Sequence, residues 1–167
     1  MKSALVMLVA LLAAGPCLAQ EPVGCDKFKW PLDRERAMLT GTDLPAVSSG
    51  ASLTQPLPVA VSVALVPFSE AKLPMAPERA PKSAASFAGF VELAAPSPGG
   101  TYKVSLSSEG WIDVVQDGHT VKSAGFSGAT GCGGIRKSVK FNLAARPFTI
   151  ELSGVPTNAI RIAITGD

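Results

Sequence analysis

Short runs in which every second residue is apolar recur from Val59 to Ile164, and they limit the fold more than any other feature of the chain. In the first run Val59, Val61, Val63 and Leu65 share one side, with Ala60, Ser62 and Ala64 on the other. Period two in β-branched residues marks a strand with one buried face. The pattern returns over Phe87–Leu93 and over Thr101–Ser107, where Tyr102, Val104 and Leu106 point inward and Lys103, Ser105 and Ser107 outward. Further runs cover Trp111–Gln116, His119–Ala124 and Lys137–Leu143, the last with Val139, Phe141 and Leu143 inward. Phe148, Ile150 and Leu152 follow Pro147, and Ile160, Ile162 and Ile164 close the chain. Asp117-Gly118 is a hairpin signal that requires positive φ. About eight short strands with clean alternation predict an all-β fold, an antiparallel β-sandwich of jelly-roll type. A closed barrel is the alternative, because a sequence does not reveal which strands are edges. No internal period marks tandem repeats.

The stretch 20–56 reads as an N-terminal arm, leaving 57–167 as the sandwich. Pro31 suits the first turn of a helix, Asp33 and Glu35 suit its positive end, and Gly41 is a natural stop. A helix is therefore expected over Pro31–Thr40, burying Leu32, Met38 and Leu39 and turning Arg34 and Arg36 to solvent. Asp43–Pro56 and Ser69–Lys82 read as loops, the second carrying Pro74, Pro77 and Pro81 in extended backbone on the surface.

Residues 1–19 have the order of a secretory signal: Lys2, an apolar run from Ala4 to Ala14, the breakers Gly15 and Pro16, then small residues before cleavage after Ala19. The run falls short of the roughly 20 residues a membrane span needs. Lipidation at Cys17 is the other alternative, and Pro16 fits it badly. The processed protein is thus expected in the periplasm or secreted, with roughly 150 residues, enough for one domain with a real core. Its formal charge falls from +2 to +1 because Lys2 alone is lost. No basic stripe marks a nucleic-acid partner, and no second apolar run marks a membrane span. Cys25 and Cys132 remain, each beside glycine, and in an oxidising compartment they are expected to pair.

Catalytic groups are scarce. His119 is the one histidine, in or beside a turn, and no Gly-x-Ser-x-Gly elbow is present. A hydrolytic site could be written with His119 and Asp113 or Asp117, yet no spacing singles out a serine. A two-histidine iron site cannot be built, and pairing the cysteines removes the ligands of a zinc site. Asp113 and Asp117 do not have the spacing of a calcium loop. The glycines of Gly128–Gly134 lack the ending of a phosphate loop and precede a strand. No cofactor and no metal is expected. Trp30 and Trp111 could stack on a sugar or anchor a partner. Trp111 is expected mainly as core, and Trp30 as a cover over one end of the sandwich.

The stretch GTYKVSLSSEGWIDVVQDG, followed by KSVKFNLAARPFTIELSGVPTNAIRIAI, resembles the bacterial pre-peptidase C-terminal domain, a small β-sandwich appended to secreted enzymes. The likeness lies in strand order: Tyr102 opening one strand, Asp-Gly ending another, and Phe148 beginning a late one. Of that family's acidic strand motif only Asp113 is present. The segment CDKFKWPLDRERAML resembles the start of small exported proteobacterial proteins of unknown function.

These readings converge on an exported, non-catalytic binding module for a carbohydrate or a partner protein, with Trp111, Asp113, Asp117 and His119 as the candidate surface. A structural envelope protein without a small ligand is the alternative, and a minor hydrolase using His119 the weaker one.

Overall fold

In the computed structural model, residues 21–167 are described; the expected signal peptide and Cys17 lie outside them. Among the described residues twelve strands form two stacked sheets. In chain order they are β1 Ala46–Ser48, β2 Ala51–Leu53, β3 Val59–Ala64, β4 Val66–Pro67, β5 Phe87–Leu93, β6 Gly100–Leu106, β7 Trp111–Gln116, β8 His119–Thr120, β9 Ser123–Gly128, β10 Lys137–Leu143, β11 Phe148–Val155 and β12 Ala159–Gly166. The first sheet runs β1-β3-β12-β6-β10-β9 and the second β2-β5-β11-β7-β8, with β4 also on β5. The sheet paths end on unpaired edges, so the arrangement is a sandwich and not a barrel. Neighbours are antiparallel, except that β1 lies parallel to β3 and β2 parallel to β5.

The inward faces are those the alternation assigns. Val59, Val61, Val63, Tyr102, Val104, Leu106, Phe141, Ile160, Ile162 and Ile164 of the first sheet meet Val91, Leu93, Ile112, Val114, Phe148, Ile150 and Leu152 of the second in one buried cluster. Asp117 and Gly118 take φ 53 and 73, the left-handed pair a tight hairpin requires.

Three expectations are corrected. The loop Asp43–Pro56 holds β1 and β2, short edge strands that cap opposite sheets; Gly50, at φ 86, lets the chain step between them. The return strand His119–Ala124 is two strands: β8 pairs with β7, and the chain then crosses to become β9 beside β10. The outer faces are also not simply wet. Ser105 and Ser138 are fully buried and bond to each other at 3.0 Å.

Helix α1, Asp33–Leu39, is shorter than the expected Pro31–Thr40 and explains part of that cover. Leu39 of the helix, Leu32 just before it and Ile135 from the loop before β10 pack on Ala163 and Ala60, which face each other across β12 and β3. Small outward residues on these strands let the helix approach closely. Glu35 turns inward instead of serving the helix end. Its carboxylate accepts from Thr165 Oγ1 and pairs with Lys103 Nζ at 2.9 Å. Burial alone would raise its pKa, but these two partners outweigh that and hold it below the ordinary glutamate value.

Candidate ligand-binding site

The expected disulfide is present: Cys25 and Cys132 are bonded, 107 residues apart in sequence, with Cα atoms 4.8 Å apart. It docks the arm on the outer face of the first sheet. Backbone bonds on either side reinforce the bridge, with Gly24 N–H donating to Thr130 O and Thr130 N–H to Pro22 O, both at 2.8 Å. Lys29 N–H donates to Ser127 Oγ, and Arg136 pairs with Glu21.

Arm and helix together line an open cleft of about 300 Å³, at the small end of ligand sites. Phe28, Trp30, Leu32 and Ile135 supply apolar lining, Lys29 and Arg36 positive charge, and Asp26 and Asp33 negative charge, with the disulfide in the wall. Arg36 is tied down by a bond from Nε to Gly133 O at 3.0 Å. Gly134 allows the helix end to come this close: its φ is 87, and a Cβ there would sit 2.3 Å from Thr40 Cγ2. The Trp30 ring lies against Gly125, with Lys140 Nζ 4.7 Å from its centroid. Its indole N–H is buried without an acceptor among the described residues. Trp30 therefore covers the outer face of the first sheet, not an end of the sandwich.

Of the four residues expected to form one surface, two pairs end up apart. Asp117 and His119 sit at the exposed hairpin tip, where Asp117 pairs with Arg146 at 2.7 Å and His119 Nδ1 lies 2.8 Å from Asp117 O. Trp111 and Asp113 lie on the outer face of the second sheet near the other end of β7. Trp111 is half-buried outside the interior rather than in it, because Ile112 and Val114 take the inward positions. Its indole N–H donates to Asp113 Oδ1 at 2.8 Å. Arg79 and Lys137 lie 5.4 and 5.2 Å from its ring centre, within cation–π range, as Lys140 is of Trp30. Lys137 donates to Gly110 O at 2.6 Å, and its pKa is lowered, first by burial and then by the charge of Arg136.

Asp113 has a neighbour that sequence reasoning misses. Glu151 stands directly opposite it across the β11–β7 ladder, and both are buried. Burial pushes both carboxyls above their ordinary values; next to that, Asp113 feels Glu78 and Glu151 feels Asp113. Between the inward Ile150 and Leu152, Glu151 reads as a solvated residue, and only the covering loop removes it from water.

None of these groupings assembles a nucleophile, base and orienting acid. Among the described residues no group of three or more His, Cys, Asp or Glu side chains could hold a metal ion, and no helix is long and apolar enough to cross a membrane. Comparison with protein-family models, with curated proteins and with solved structures finds no match.

Proposed function

We propose that this chain is an exported, non-catalytic binding module whose ligand, a short carbohydrate, sits in the cleft between the N-terminal arm and α1. One observation carries the reading: Phe28 and Trp30 meet side chains of both charges, Arg36 among them held by Gly133, around an open volume of about 300 Å³. Sugars present an apolar ring face and hydroxyls that both donate and accept. An aromatic wall with lysine, arginine and aspartate at its rim answers both needs. The Cys25–Cys132 bridge fixes the arm, so little ordering would be lost on binding. A disulfide of this kind also accords with the exported location the leader implies. Glycan-array screening of the processed protein, followed by calorimetry with each hit, tests the reading. Trp30→Ala is expected to weaken binding at least about tenfold, since an aromatic anchor is worth about 1.4 kcal/mol or more. An empty array, or hits indifferent to Trp30→Ala, contradicts it.

A partner protein of the envelope is the second reading. Phe126 favours it, being 61 % exposed on the edge strand β9. Co-purification with a stable partner that Phe126→Ser abolishes, together with an empty array, would select that reading.

A further inference from the structure

The segment 71–86 crosses the outer face of the second sheet as a strap. Its ends are pinned together, because Phe68 N–H donates to Ser86 O at 2.8 Å and β4 pairs with the start of β5. Its middle is held differently. Met75 N–H donates to Glu151 Oε1 at 2.7 Å and Glu78 N–H to Asp113 Oδ2 at 3.3 Å. These two carboxyls are ladder partners, 2 % and 4 % exposed. The geometry points to a proton-sensitive latch: the strap is closed while at least one of Asp113 and Glu151 is protonated and lifts when both are ionised.

Two buried carboxylates side by side repel, and low dielectric magnifies the repulsion. The surroundings supply little to offset it. From β7 the pair meets only the indole N–H of Trp111, and from β5 the ring of Phe90, which stands in register with Glu151. The strap brings the Glu78 carboxylate, a third negative group, while Arg79 and Lys137 lie 5.4 and 5.2 Å from the Trp111 ring centre and make no ion pair with Asp113 or Glu151. Lys82 of the strap pairs with Glu109 at 3.9 Å on the exposed surface. Among the described residues neither Asp113 nor Glu151 has an ion-pair partner. Closure also leaves Glu151 Oε2, Ser153 Oγ and Ser86 Oγ buried without partners among the described residues, a cost that opening relieves. Both carboxyls have raised pKa values in the closed form, so closure binds protons. Its stabilisation is complete below the ordinary carboxylate range and is lost as pH rises through the raised values. Opening would uncover Trp111, both carboxyls and the serine hydroxyls, a face distinct from the cleft.

Hydrogen exchange by mass spectrometry on the processed, disulfide-intact protein tests the latch without any ligand. Between about pH 3.5, below the ordinary carboxylate values, and about pH 8.5, after correction for intrinsic rates, peptides spanning 71–86 are expected to lose protection about tenfold, while a β12 reference peptide holds steady. Glu151→Gln and Asp113→Asn, which keep an acceptor for the strap amide, are expected to remain protected at both ends of the range. Equal strap protection at both pH values in the wild type overturns the latch, as does loss in step with β12. Should the variants not fold, the wild-type comparison decides.

Discussion

Removing the Cys25–Cys132 bridge perturbs the protein where the structure allows the effect to be worked out. The pair Cys25→Ala and Cys132→Ala leaves no free thiol at either position. The arm keeps its other ties in the native state: the two bonds at Thr130, the Lys29–Ser127 bond and the Glu21–Arg136 pair. The bridge therefore acts mainly on the unfolded chain. Closing a loop of 107 residues gives about 4.8 kcal/mol in the chain-entropy treatment, from 2.1 plus 1.5R ln 107 in entropy units at 298 K. For a domain of about 150 residues, whose unfolding entropy is about 0.3 kcal/mol per kelvin, that lowers Tm by about 15 °C. Thermal unfolding followed by circular dichroism measures it directly, with wild type plus reductant as a second arm. A fall below about 3 °C, equivalent to about 1 kcal/mol, would refute the argument that the bridge restrains a long, otherwise free loop.

The interior gives a second test. Phe141→Ala empties a fully buried site between the sheets and is expected to cost about 3 to 5 kcal/mol in urea unfolding. Glu35→Gln removes a buried charge paired with Lys103, with an expected loss of about 2 to 3 kcal/mol near neutral pH. Because the Glu35 pKa is depressed in the fold, its contribution is present above the ordinary glutamate value and lost as pH falls through the lowered one. Stability measured against pH should accordingly show wild type losing its advantage over Glu35→Gln in acid, the reverse of the strap's behaviour. Gly134→Ala forces a side chain into a left-handed position against Thr40 and should cost about 1 to 3 kcal/mol, read in the same unfolding assay.

The sandwich interior was legible because period two encodes it: every inward residue read from Val59 to Ile164 along β3, β6, β10, β11 and β12 is buried. The outer faces were not, because alternation says which residues share a side and nothing about what lies over that side. The available signal was residue size. Ala60, Ser105, Ser138 and Ala163 are small where a wet face would carry long charged chains, and small residues are what a docked helix needs. Edge strands β1 and β2 were missed because three residues are too few for a period to register. The bridge was readable from the two cysteines that remain beyond the leader, but the cleft beside it was not. It depends on Gly134 admitting Thr40 and on Arg36 reaching Gly133, contacts between segments almost a hundred residues apart. Asp113 was singled out as a lone acid of a partial motif, and its partner Glu151 became visible only through strand register.

Trp30 stands in the wall of the proposed ligand cleft between arm and helix. Its indole N–H resonance, resolved from that of Trp111 by Trp30→Phe, can be followed while soluble glucose, mannose and N-acetylglucosamine oligomers are titrated into labelled, disulfide-intact protein. We expect at least one oligomer to move the Trp30 signal saturably and leave the Trp111 signal in place. A Trp30 signal unmoved by every oligomer, or a response confined to Trp111, would contradict the cleft as the binding site.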